Sequence, residues 1–145
     1  RQLILKPTSW DAELKIHTRL DTRVSILKIH PGITPAVVSN ILCGKETRAV
    51  ILETYGCGNA PNSEWFINEV RKAAKQDKIL MNVTQCVSGS VNANGKELQN
   101  AGVVCGYDST TESALGKLFF LLGLTDNNDQ VRIMSETCLR GEISK

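Results

Sequence analysis

The chain is poor in the residues that usually announce a chemistry. It holds 2 histidines, 4 prolines and only 5% aromatic side chains in 145 residues. The 5 cysteines (Cys43, Cys57, Cys86, Cys105 and Cys138) are odd in number and widely spaced, with no C-x-x-C pair. That pattern argues against a disulfide framework and against a zinc site, so neither metal nor other cofactor is expected. Cysteines in or after apolar strand-like runs, such as Cys105 and Cys86, behave as small hydrophobes, and a reducing cytoplasm is the simplest compartment. The net charge is only +2 and the basic residues are scattered, which is too little to suggest nucleic acid, so no nucleic-acid partner is expected. The apolar run from Leu118 to Leu122 falls far short of the ~20 residues a membrane helix needs, so no membrane partner is expected. There is no signal-peptide pattern. The chain starts at Arg1 without a Met, which marks it as a candidate fragment.

What is present is ordinary for a soluble domain, 41% hydrophobic and 22% charged. Residues 1–22 read as a lead-in segment or interdomain linker, interrupted by Pro7-Thr8-Ser9, with at most a short edge strand over Leu14–His17. From residue 23 onward to 145 the pattern predicts one α/β domain. Strands are expected at Val24–Ile29, Ala49–Leu52, Ile79–Val83 and Val103–Cys105. A helix capped by Thr34, with Pro35 at its first position, should bury Ala36, Val37, Ile41 and Leu42 and stop at Gly44. Ser63 should cap a helix over Glu64–Gln76, where Trp65, Phe66, Val70 and Ala73 recur near helical spacing. A short helix over Lys96–Ala101 precedes the fourth strand. Ser109 and Glu112 are spaced as a capping box for a helix that Gly123 should end. A last helix is expected over Asp129–Leu139. Alternating strands and helices, with continuous apolar strands, predict a three-layer sandwich: a four-stranded parallel sheet flanked by helices, Rossmann- or flavodoxin-like.

The most informative segment is Ile51-Leu-Glu-Thr-Tyr-Gly-Cys-Gly-Asn-Ala-Pro61. It reads as a buried strand running into a glycine-opened loop. Open α/β sheets place their ligands at the carboxyl ends of strands. Gly56 and Gly58 permit positive φ or a close backbone approach to a ligand. They do not complete a dinucleotide fingerprint, because the third glycine position is Pro61. Asn59 offers a donor and an acceptor, and is either a turn former or a contact for a bound group. Thr84-Gln85-Cys86 leaves another strand end, as a polar exit from the sheet or as part of a small-ligand pocket. A nucleophilic Cys86 would need a base such as His30, with no residue evident to orient it. The Asn82-Val83-Thr84 sequon falls inside a predicted buried strand, where a glycan has no place. Helix capping accounts for the hydroxyls and carboxylates of Asp108–Glu112.

Four motifs stand in order: His30-Pro-Gly-Ile33, Ala49 through Pro61, Asn82-Val-Thr-Gln-Cys86, and Ala101-Gly-Val-Val-Cys-Gly-Tyr-Asp108. Over residues 20–145 they resemble the C-terminal domain of type I cytosolic L-asparaginases. Val131-Arg132 and the closing Leu139-Arg-Gly-Glu-Ile143 resemble the animal branch, which is also labelled a lysophospholipase. The resemblance implies the smaller domain of an enzyme that converts L-asparagine and water to L-aspartate and ammonia. In that family a larger N-terminal domain carries the reactive threonines, in T-G-G-T and T-D-T motifs. Neither motif occurs in this chain, so no catalytic residue is expected in it and the chain alone should be inactive.

By the same resemblance the domain would supply pocket walls and subunit contacts, with its own N-terminal domain as partner in a homodimer or homotetramer. Asn59, with Gly58 beside it, would face the substrate. Cys86 and Thr84 match residues that hold an effector asparagine in allosteric members, but the arginine of that pocket is replaced by Glu53, a charge reversal. The loop after Val91-Asn92 is also shorter than the family's. Two other readings fit the residues: a free-standing amino-acid-sensing module, and the matching domain of a tRNA-dependent amidotransferase subunit.

Overall fold

The computed structural model describes residues 13, 15–91 and 96–144. The parallel strands β1 (Val24–Lys28), β2 (Ala49–Thr54), β3 (Ile79–Thr84) and β4 (Val103–Cys105) form one sheet in the spatial order 1-2-3-4. Helices α1 (Pro35–Leu42), α2 (Glu64–Lys75) and α3 (Lys96–Asn100) make the three crossovers. Helices α4 (Thr111–Leu124) and α5 (Asn128–Ser135) follow β4. The predicted three-layer α/β sandwich is therefore the fold observed.

Because the strand order never reverses, three right-handed crossovers must put α1, α2 and α3 on the same face. The core divides accordingly. Leu27, Val50, Leu52, Leu80 and Val103 pack with Val38, Leu42, Phe66, Val70 and Leu98. On the other face Ala49, Ile51, Ile79, Met81 and Val83 pack with Leu118, Leu121, Leu122 and Val131. Successive residues of β2 and β3 thus feed opposite cores, as the period of two demands. Covered on both faces, these strands must be apolar throughout. Each large side chain so buried contributes ~1.5–3 kcal/mol.

Helix starts follow the sequence with some displacement. Thr34 caps α1, its Oγ1 accepting from the Val37 amide, and Pro35 opens the helix. The buried positions of α1 are Val38 and Leu42, whereas Val37 is exposed, so its apolar face is turned from the one expected. Ser63 occupies the cap position of α2 without a side-chain capping bond. Thr110, not Ser109, caps α4 through a bond from the Ser113 amide. Thr110 is still extended (φ −74°, ψ 161°), so the predicted box is out of phase by one residue. Gly123 lies inside α4 and does not end it. A Cβ there would strike the Arg19 carbonyl, so the lead-in chain runs against the helix at this point. The last helix stops at Ser135, and residues 136–143 turn back toward α4. Residues 15–17 are not a strand, and Leu14 lies outside the described residues, as do residues 1–12.

Two charged clusters fasten the periphery. Near the amino ends of β1 and β2, Arg23 and Arg48 both bond Asp21, and Arg48 also reaches the Leu122 carbonyl and Asn128. The Arg23 hydrogen bonds, aided by Arg48, hold the Asp21 carboxyl well below the usual range. At the other cluster Glu142 accepts from the amides of Leu139 and Arg140 and pairs with Lys117 at 2.7 Å. Burial alone would raise the Glu142 pKa; these donors outweigh it and lower it from 4.5 to about 2. They clasp the carboxy-terminal turns onto α4.

A depressed carboxylate contributes stability above its unfolded pKa and loses it as pH falls toward the folded value. At neutral pH Glu142→Gln should therefore destabilise the protein by about 3 kcal/mol. That deficit should close as pH drops from about 4.5 to about 2 in denaturant titrations. A second comparison concerns the helical glycines of α4. Gly116 faces open space, so Gly116→Ala should stabilise by up to ~1 kcal/mol. Gly123→Ala should destabilise by about 1–3 kcal/mol, despite the same gain in helix propensity, and differential scanning calorimetry would separate the two.

Candidate functional site: the strand-end loops

The carboxyl ends of β2 and β3 are joined by side chains that sequence reasoning did not single out. Asn82, buried near the end of β3, accepts from Thr54 Oγ1 at 2.6 Å. Its Nδ2 donates to the Gly58 carbonyl at 3.2 Å. Thr54 Oγ1 also reaches the Val83 carbonyl. The Asn82 backbone carbonyl accepts from the Gly106 amide just past β4. One buried amide therefore fixes the β2 loop between two strand ends. The only signal was a polar residue within an apolar run, and the sequon reading concerned the same residue. Its burial is what the strand assignment led us to expect.

The loop itself is a narrow reversal. Tyr55 and Asn59 exchange backbone hydrogen bonds at 2.8 Å, and the Gly58 amide bonds the Tyr55 carbonyl. Gly56 and Gly58 have φ of +47° and +102°, the left-handed region that glycine enters without strain. At Gly58 there is a second reason. A Cβ would lie 2.7 Å from Val91 Cγ1 and 3.2 Å from Asn82 Nδ2, so the close approach made here is to the protein's own side chains. Thr84 Oγ1 donates to the Gly56 carbonyl at 2.5 Å and accepts from the Cys86 amide. Gln85, which the sequence places only in the polar exit from this strand, donates from Nε2 to the carbonyls of Ile29 and Glu53.

These bonds leave Asn59 exposed at the loop tip. It faces a cleft of about 450 Å³ between the loop and the start of α3. Asn59 and Asn62 stand on one side and Lys96 and Glu97 on the other, over a base of Ile67 and Leu98. Gly58 lines the same cleft. Residues 92–95, including the short loop noted above, lie outside the described residues.

The other sequence-chosen residues divide between the two faces of the sheet. Thr84 pairs in register with Thr54, and its side chain meets the glycine loop. Glu53 precedes Thr54 and so points to the α4 face, where it accepts from Thr111 at 2.6 Å and pairs with Lys28 at 3.4 Å. Thr84 and Cys86 are thus brought together, and the Glu53 carboxylate is engaged by Thr111 and Lys28. Cys86 is exposed, and no hydrogen bond joins its thiol to His30. Among the described residues no cluster of metal-ligating side chains occurs, and no helix is long and apolar enough to cross a membrane.

Comparison with known proteins places this geometry. Residues 23–134 match the glutaminase/asparaginase C-terminal domain. The chain is 37% identical to L-asparaginase 1 of Escherichia coli over 92% of its own length and 40% of that protein's. It is 34% identical to the 60 kDa lysophospholipase of Mus musculus, over 99% of its length and 26% of that protein's. It is also 31% identical to a glutamyl-tRNA(Gln) amidotransferase subunit of Pyrococcus abyssi, of which it covers 31%. The crystal structure of L-asparaginase I from Vibrio cholerae superposes with a TM-score of 0.87 at 34% identity, over 93% of this chain and 42% of that one. The chain therefore spans well under half the length of these relatives. By motif order, sheet topology and similarity alike, it belongs to the glutaminase/asparaginase C-terminal domain family.

Proposed function

We propose that this domain is the smaller half of a cytoplasmic L-asparaginase, which hydrolyses L-asparagine to L-aspartate and ammonia. The observation that carries the reading is the presentation of Asn59. A buried hydrogen-bond network holds a glycine loop so that one amide side chain, with no hydrogen-bond partner among the described residues, stands at the mouth of a cleft at the strand ends. Asn59 and the Gly58 backbone would contact the substrate, forming one wall of a pocket completed elsewhere. The reactive hydroxyls would come from an N-terminal catalytic domain, since the threonine motifs of the family are absent from this sequence. A homodimer or homotetramer would bring the two together. The exposed thiols of Cys57 and Cys86 suit the reducing compartment.

Thr84 and Cys86 form the candidate effector contact. Glu53 would weaken such a site through its charge, and its bonds to Thr111 and Lys28 engage it elsewhere. The similarity to amidotransferase subunits supports a second reading, in which the same loop serves an ammonia-donating subunit acting on tRNA-bound substrates.

The isolated chain should release no ammonia from asparagine, and robust turnover in a coupled ammonia assay would refute the two-domain reading. In the full-length protein Asn59→Ala should lower kcat/KM by about tenfold or more, the worth of one substrate hydrogen bond, with little change in melting temperature. An equal loss of stability would make Asn59 a turn residue. Cys86→Ser should alter the cooperativity of asparagine saturation, and an unchanged curve would remove the effector contact.

A further inference from the structure

We propose that Cys57 and Cys86 form a reversible oxidation site, in which a hydroperoxide closes a disulfide between the glycine loop and the exit of β3 and so draws Asn59 out of place. The disulfide stands by itself; its effect on activity rests on the function proposed above. Of the five cysteines, Cys57 and Cys86 are the two that are exposed. Both stand at the same polar hub. Thr84 Oγ1 holds the Gly56 carbonyl at 2.5 Å and the Cys86 amide at 3.0 Å. Because Gly56 is joined to Cys57, ordinary peptide dimensions keep the two Cα atoms within about 10 Å even at full stretch. A disulfide needs roughly 4.4–6.8 Å, so at most a few ångströms remain to be closed.

The two partners differ in freedom. The Cys86 amide donates to Thr84, and its carbonyl accepts from the Gly89 amide at 3.0 Å. A Cβ at Gly89 would lie 2.8 Å from Cys86 Cβ, so this turn is closed tightly around the cysteine. Cys57 makes no hydrogen bond among the described residues and has a glycine on each side. Cys57 is therefore the partner that moves, and Asn59, which ends the same reversal, moves with it. The chemistry balances with a hydroperoxide as oxidant. One thiol gives up its proton and attacks the peroxide; the O–O bond breaks, leaving a sulfenic acid and releasing water or an alcohol. The second thiol attacks the sulfenic sulfur; the S–O bond breaks, the S–S bond forms and water leaves. The two sulfurs together lose two electrons, which the peroxide gains. In a reducing compartment the dithiol is the resting state, and a disulfide there is transient.

The test treats the full-length protein with hydrogen peroxide, blocks the remaining thiols by alkylation and digests with trypsin. The expected product joins peptide 49–71 to peptide 79–96, lighter than their sum by two hydrogens, in a protein that still runs as a single chain on a non-reducing gel. The kcat/KM for asparagine should fall about tenfold or more, as for Asn59→Ala, and dithiothreitol should restore it. Cys57→Ser should keep its kcat/KM within about twofold, form no linked peptide and withstand peroxide. Absence of the linked peptide, or linkage only between two chains, would overturn the site. A linked protein with unchanged kcat/KM, or inhibition that Cys57→Ser does not prevent, would overturn the displacement of Asn59. If the untreated full-length protein hydrolyses no asparagine, the function proposed above fails, and the peptide map still decides the disulfide.

Discussion

The arrangement of the strand ends depends on one buried amide. Asn82 sits where apolar side chains surround it, yet its oxygen and nitrogen are both engaged, by Thr54 and by the Gly58 carbonyl. An unsatisfied amide at this depth would cost several times what the bonded one contributes. The network is therefore all or nothing: it holds the glycine loop in one place or it does not form. Val91 closes the same contact from below, against a position where only glycine fits. A loop fixed in this way can present Asn59 without ordering it at the moment of binding, which is the advantage of preorganisation.

The sheet's unreversed order has a second consequence. All three crossovers share a face, so the loop, the cleft and α3 lie together on that side of the strand ends, and α4 with the carboxy-terminal clasp lies on the other. Neighbouring residues of one strand are assigned to different faces. Glu53 and Thr54 differ by one position, and one bonds helix α4 while the other supports the ligand loop. A charge change at residue 53 is felt first at α4, and a change at residue 54 first at the site.

The charged clusters belong to stability. Arg48 with Asp21 gathers the strand starts, the lead-in segment and the end of α4, at the pole opposite the loop. Glu142 with Lys117 ties the last turns to α4. Both carboxylates are held below their usual pKa by hydrogen bonding, so acid loosens these clasps while the neutral amides and hydroxyls under Asn59 keep their bonding capacity.

Much of this was legible in the sequence. Continuous apolar strands between amphipathic segments set the class of fold, and Thr34-Pro35 set the start of α1, because covered strands and helix starts obey local rules. Gly56, Gly58 and Asn59 were legible as a strand-end loop, because glycine pairs and strand exits leave local signatures. The cap of α4, the extent of α5 and the buried face of α1 were displaced by a residue or more, because contacts distant in sequence decide them. Gly123 reads as a terminator locally and serves instead as a gap for the Arg19 backbone. The same holds for Asn82 and Gln85. Nothing beside them in the chain states their task, since their partners lie more than twenty residues away and meet them only when the strands align. The sequence by itself determined which segments are strands, helices and turns. Only the tertiary structure decided which polar groups share a cleft, because that depends on register and crossover side, which no local pattern contains.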